Sequence, residues 1–228
     1  MTFLELAQKL RQESGIAGTG PTNVTSQNGI EGRIVDWIND AWLDIQSDRE
    51  NWDWMWVPGA TVNTTASQAD YAPVADFGLA ATALARWEVE TMRIFLTSDG
   101  RSAERPLQYI PYEDYKEDYL AGEPDDNMPA FFTVLPSGNI RLYPPPNDIY
   151  TLTIDYYKQP TKMAADDDVP EMPTWLHDAI WARALLDYAI YDEAITVGQA
   201  ALRKAELWQN RLDARNRPQI SIKGTALA

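Results

Sequence analysis

Cysteine is absent from the chain, which excludes disulfides, thiolate nucleophiles and thiolate metal sites and leaves no redox mark of a compartment. Histidine occurs once, at His177, so acid–base or zinc chemistry that needs two imidazoles is excluded as well. Positive charge is scarce: 19 basic residues stand against 34 acidic ones, a net charge of −15 over 228 residues. Binding through nucleic-acid phosphates draws on clustered Lys and Arg that release counterions, and no block of that kind offsets the acids. The same repulsion disfavours anionic membrane surfaces. No stretch approaches the roughly 20 apolar residues of a membrane span. The start, Met1-Thr2-Phe3-Leu4-Glu5-Leu6, lacks the basic region and apolar run of a secretory signal, so a soluble protein is expected. Phosphate-cradling Gly-x-x-x-x-Gly-Lys, a Gly-x-Gly-x-x-Gly opening a helix and a serine nucleophile elbow are also missing, so the reading is non-enzymatic, with no cofactor and no metal.

Large side chains are plentiful. Apolar residues make up 45% of the chain, with nine Trp, eleven Tyr and five Phe, more ring area than a core of this size requires. Rings that combine an apolar body with a polar tip favour protein interfaces, so partner surfaces are expected.

Periodicity divides the chain into helical ends and a β-rich middle. Thr2-Phe3-Leu4-Glu5 has capping-box form and predicts a helix to about Ser14, followed by a polar loop to about Gly29. Ile34, Ile38, Ala41, Trp42 and Ile45 recur at helical spacing and predict a second helix over about 30–50. Trp52, Trp54 and Trp56 then alternate with Asp53 and Met55, which predicts a strand with three aromatics on one face. Strand-like segments follow at about 59–64, 68–72, 86–97 and 103–110, with Asp99-Gly100 placed as a hairpin turn between the last two. Pro111 is expected at the first position of a short helix. Residues 130–135, 139–143 and 150–158 read as a β-meander, with Leu152, Ile154 and Tyr156 buried and Thr151, Thr153 and Asp155 wet. Helical period returns at Thr174–Tyr191, apolar almost all round, and at about 192–216, with a stripe of Ala194, Val197, Ala201, Ala205, Trp208 and Leu212.

The expected fold is α+β: a four-helix core drawn from both chain ends, with an inserted antiparallel β-domain. Residues 1–51 and 166–216 would form the helical domain, 52–165 the insertion and 217–228 a tail. Subunit contacts are assigned to Trp52, Trp54, Trp181, Tyr188 and Trp208. Asp166-Asp167-Asp168 lacks the spaced ligands, turn glycine and distal glutamate of a calcium loop, and reads as solvated loop acids that also favour a nearby helix start. His177 reads as a packing or hydrogen-bonding residue in a first helical turn. The tryptophan alternation admits one other reading, a platform stacking on sugars or bases; stacking on sugars would make the protein a carbohydrate-binding or adhesion module of a virion. In the tail, Ile220 and Ile222 alternate within Pro218-Gln219-Ile220-Ser221-Ile222-Lys223, which suits strand addition to a partner. Arg211, Arg215, Arg217 and Lys223 make this end locally basic, which suits an acidic docking surface.

Pro129-Ala130-Phe131-Phe132, Gly138-Asn139-Ile140-Arg141-Leu142-Tyr143-Pro144, Tyr150-Thr151-Leu152-Thr153-Ile154-Asp155-Tyr156-Tyr157, Asp168-Val169-Pro170 and Pro173-Thr174-Trp175-Leu176-His177-Asp178-Ala179 occur in that order. Over about 129–191 this succession resembles the adaptor, or head-to-tail connector, proteins of tailed bacteriophages. The resemblance implies a homo-oligomeric ring, commonly twelve-fold, at the head–tail junction of a virion, made in the host cytoplasm. It implies a portal protein above, a tail or nozzle protein below, and a channel through which DNA passes towards ejection without specific binding. By the same resemblance Arg217, Pro218, Ile220, Ile222 and Lys223 would dock on the portal.

Overall fold

A computed structural model of the protein describes residues 1–122 and 124–215. The fold is α+β, with five α-helices and two four-stranded sheets among the described residues. It divides into two compact units: Met1–Trp54 together with the described residues from Pro160 onward, and Met55–Gln159.

The first unit is helical. Helix α1 (Phe3–Glu13) opens on the predicted capping box, and every orphan N–H of its first turn is satisfied. Phe3 and Leu4 donate to the carbonyls of Asp168 and Asp166, Glu5 N–H donates to the Thr2 hydroxyl, and Leu6 closes the first helical bond to Thr2. Asp166 also accepts the Val24 N–H on its carboxylate at 2.6 Å. Asp168 accepts the N–H groups of Ala164 and Ala165, which hold its carboxyl below the ordinary range. The aspartate run is therefore a tether for the start of α1, a role invisible in sequence because its partners lie about 140–165 residues away.

Helix α2 (Gly29–Ser47) buries Ile34, Ile38, Ala41, Trp42 and Ile45 as its stripe predicts. After it the structure departs from expectation. Asp53–Met55 forms a 3₁₀ turn, and the strand begins only at Trp56. The reason is local: Trp52 is fully buried and its indole N–H donates 2.8 Å to the Ile45 carbonyl near the end of α2. Trp54 folds back to stack on it, with ring centroids 4.4 Å apart and planes 18° apart. An orphan helical carbonyl and a buried ring outweigh the alternation that reads as strand.

The second unit contains β1 (Trp56–Asn63), β2 (Asp70–Tyr71), β3 (Leu84–Leu96), β4 (Arg105–Pro106), β5 (Gln108–Tyr109), helix α3 (Tyr112–Asp118), β6 (Phe131–Val134), β7 (Ile140–Tyr143) and β8 (Tyr150–Lys158). Strand orders are β1-β8-β3-β4 and β2-β7-β6-β5. The expected meander is not formed. The antiparallel β6–β7 pair stays in one sheet, turning on Gly138 at φ 84°, a conformation that favours glycine. After Tyr143, Pro144-Pro145-Pro146 has no N–H to continue a ladder, and β8 joins the other sheet between β1 and β3. As a central strand β8 buries Thr151 and Tyr157 along with Leu152, Ile154 and Tyr156, so it has no wholly wet face. Asp155 is held by neighbours on one side, accepting from the Gly59 N–H and the Trp56 indole at a bulge in β1.

Three smaller readings change. The reversal between β3 and β4 spans Thr97–Glu104 with a 3₁₀ turn at Arg101–Ala103, longer than a two-residue hairpin at Asp99-Gly100. Pro111 caps α3 and precedes its first position. One pair, β5–β6, is parallel within otherwise antiparallel sheets, because α3 supplies the crossover that a parallel pair requires. Both sheets feed one core that includes Met92, Ile94, Phe132, Ile140, Leu152 and Ile154, none of them exposed.

Trp52→Ala is expected to lower unfolding free energy by about 3–5 kcal/mol. Trp56→Ala, at a ring 40% exposed, should cost about 1 kcal/mol or less. Urea denaturation of the two variants checks this, and equal small losses would remove the anchoring role of Trp52.

Candidate interaction surfaces

The helical unit is completed by α4 (Asp178–Tyr191), entered through a 3₁₀ turn at Thr174–Leu176, and by α5 (Ile195–Arg215). Helix α4 contacts α1, α2 and α5. Ala179, Ala182, Ala184 and Ala189 let those neighbours approach closely, while Ile180, Trp181, Leu185 and Tyr188 fill between them.

His177 sits fully buried where α4 begins. Its Nε2 lies 3.0 Å from the Met172 carbonyl and its Nδ1 2.8 Å from the Met1 nitrogen. A neutral ring satisfies both, donating to the carbonyl and accepting from the amine. Burial pushes its pKa below the ordinary value; the Met172 carbonyl opposes the shift and the positive Met1 nitrogen adds to it. With both ring nitrogens engaged, His177 is a structural junction between Met1 and the segment that enters α4.

Of the five aromatics assigned to subunit contacts, Trp52 and Trp54 are brought together in the stack beneath α2, and Trp52 has no exposed face. Trp56 stands apart on β1, tilted against Tyr157, so the three tryptophans do not form one stacking platform. Trp181 is buried, donates 2.6 Å to Asp178, and lies under the Lys204 ammonium at 4.8 Å. Lys204 also bonds Glu13 at 2.7 Å, and Lys9 bonds the same carboxylate at 2.9 Å. These hydrogen bonds hold the Glu13 carboxyl below its ordinary range. Tyr188 is buried edge-on against Trp37, with its hydroxyl donating to Asp192. Trp208 is half-buried, its ring covered by the Arg211 guanidinium at 4.3 Å, and it lines a cavity with Ile45, Ala179, Leu186 and Leu212. The tail residues Arg217, Pro218, Ile220, Ile222 and Lys223 lie outside the described residues.

Open surface lies elsewhere on the same helices. Ile190 and Ile195 are each 77% exposed, and Tyr191, Leu202 and Leu207 about half. Leu186, Ala189, Ile190, Ala194, Ile195 and Leu202 line a shallow apolar groove where α4 passes into α5. The sequence held a signal for these residues: Ile195, Leu202 and Leu207 fall off the buried stripe of α5, and an aliphatic off the stripe has no partner in its own chain.

Charge on these helices is also segregated. Asp36, Asp40, Asp44 and Asp48 are all exposed on one side of α2 and at its C-terminal cap. Arg183 of α4 reaches Asp44 at 3.5 Å and Asp48 at 2.6 Å. Neighbouring Asp187 is pushed up by burial and by the charges of Asp44 and Asp40, with Arg183 opposing. Among the described residues no group of three or more His, Asp or Glu side chains is disposed to hold a metal ion. Among them too, no helix is long and apolar enough to cross a membrane.

Because the His177 pKa is lower folded than unfolded, the unfolded chain takes up the proton first as pH falls. Its contribution is complete above the ordinary value of about 6.5 and is lost as pH drops through that value towards the lower folded one. Thermal midpoints between about pH 7.5 and 5.5 should therefore fall more steeply for the wild type than for His177→Gln. That variant should be less stable at pH 7.5 by about 1–3 kcal/mol. Parallel pH curves would show that the ring is not buried neutral.

No curated protein matches the chain. The family described as SU10 adaptor protein matches it over residues 1–225, a span that takes in both the helical unit and the β-unit, and the chain belongs to that family of phage structural adaptors.

Proposed function

We propose that this protein assembles side to side into a ring, commonly of twelve copies, beneath the portal of a tailed phage, joining head to tail and continuing the DNA channel. Membership of a phage adaptor family supports a structural role in a virion. The observation that carries the assembly reading is the exposed aliphatic surface of α4 and α5, with Ile190 and Ile195 each 77% exposed. Contiguous apolar surface of this kind on a water-facing helix is characteristic of protein contact sites. A ring satisfies it through a heterologous contact, in which two different patches of one chain meet on successive copies and the rotation closes. A net charge of −15 suits a lumen that DNA slides past without gripping.

In this reading residues 217–228 dock on the portal, with Arg217 and Lys223 meeting acidic groups and Ile220 and Ile222 adding apolar contacts. A tail or nozzle protein would take the opposite side of the ring. Deleting 217–228 is expected to leave the thermal midpoint unchanged while abolishing co-purification with portal protein. Undiminished portal binding by the truncated chain would remove the docking role from the tail.

A further inference from the structure

Two rows of opposite charge run along different helices of the helical unit at matching spacing. Asp36, Asp40, Asp44 and Asp48 recur every four residues on α2, a row about 18 Å long at 1.5 Å rise per residue. On α5, Arg203, Leu207, Arg211 and Arg215 recur at the same interval over the same length, and all four are exposed. This basic row opens the one stretch of the chain rich in positive charge. Six of the 19 basic residues fall between Arg203 and Lys223, against two acids, Glu206 and Asp213.

Each row is only partly matched within its own chain. Arg183 serves both Asp44 and Asp48, and Lys162 meets Asp40 at 3.5 Å with both side chains more than half exposed. Asp36 has no ion partner among the described residues; Arg33, one turn earlier, lies over the Tyr191 ring at 4.5 Å. On α5, Arg203 has no carboxylate partner among the described residues, Arg211 is seated on the Trp208 ring, and Arg215 reaches Asp53 at only 3.5 Å. Lys204 and Asp213 are already committed, to Glu13 and Arg49. Glu206 is the remaining acid on this stretch of α5, and it too is exposed.

We propose that the arginine and leucine row of α5 in one copy docks on the aspartate row of α2 in the next. The proposal rests on the assembly reading and names its contact. A second copy is the occupant because one chain carries both halves of the match at equal length and spacing. In a strongly acidic protein the aspartate row repels most of the surface it meets, and the α5 row is the chain's concentrated positive feature. Leu207 would lose water in the contact, giving apolar burial that charge pairing alone lacks. The two rows belong to different helices, both in contact with α4, and the four residues of each are exposed to a neighbour.

The test is charge exchange, read by sedimentation of the full chain with and without portal protein. Arg203→Glu with Arg211→Glu, and separately Asp36→Arg with Asp40→Arg, should each leave monomers under conditions in which the wild type assembles. Mixing the two variants, or placing all four substitutions in one chain, should restore assembly, which a folding defect would not allow. Raising salt from about 0.05 to 0.5 M should weaken wild-type assembly. If either reversal assembles like the wild type, this contact is wrong and the ring reading stands on another face. If the wild type stays monomeric even with portal protein, the ring reading falls and this contact falls with it.

Discussion

Helix α4 sets the terms for the helical unit. A helix with Ala179, Ile180, Trp181, Ala182, Ala184, Leu185, Tyr188 and Ala189 all buried has apolar surface around most of its circumference, and one neighbour cannot cover it. It needs α1 and α2 from the beginning of the chain as well as α5 from its end. Long-range bonds join these parts, at the start of α1 where backbone groups would otherwise be orphaned and through side-chain amides of α2. Asp166 and Asp168 receive the first N–H groups of α1, and Gln46 and Asn39 of α2 bond to the backbone at Thr161 and Met163. The segment 161–168 thus serves as a polar seam that returns the chain from β8 to the helices. Small local preferences are reinforced there by distant partners.

How much of this could be read beforehand depended on whether the signal was local. The capping box at Thr2 and Glu5, the stripe of α2 and the apolar circumference of α4 are set by spacing within a few turns, and they appear in the structure as read. The Trp52–Trp56 segment misled because alternation of period two describes a strand only where a neighbouring strand pairs with it, and pairing begins only at Trp56. Here one ring instead caps a carbonyl of the preceding helix. The supposed meander failed for a related reason. Strand identity is local, whereas strand pairing is not, and three consecutive prolines mark the point where β7 and β8 part company without saying where β8 goes. The contact residues expected from the sequence are large rings, and ring size selects for burial. Trp52, Trp181 and Tyr188 accordingly pack within their own chain, while Ile195, Leu202 and Leu207, which remain open, fall outside the stripe of α5.

The acidic excess is unevenly placed, and that matters more than its size. Where Asp40, Asp44 and Asp187 crowd together, Arg183 is drawn on by several carboxylates at once, and the Asp187 carboxyl is pushed up first by burial and then by the charges of Asp44 and Asp40. Where positive charge is sufficient, as around Glu13 with Lys9 and Lys204, the carboxyl moves the other way. The same chain therefore holds a cation-poor edge along α2 and cation-rich surroundings on α5.

Uneven charge also bears on the symmetry such a protein can adopt. A two-fold contact centred on one row would set that row against its own copy, aspartates facing aspartates or arginines facing arginines. Both arrangements are repulsive. A contact between unlike patches escapes this, because each copy offers one sign to the neighbour on one side and the opposite sign to the neighbour on the other. Used head to tail, such a contact does not stop at two copies, since each addition leaves the same two unlike faces unpaired at the ends. It closes as a ring where the rotation from copy to copy brings the last face back to the first, and otherwise runs on as a filament, so closure is set by the angle of the contact and not by charge alone.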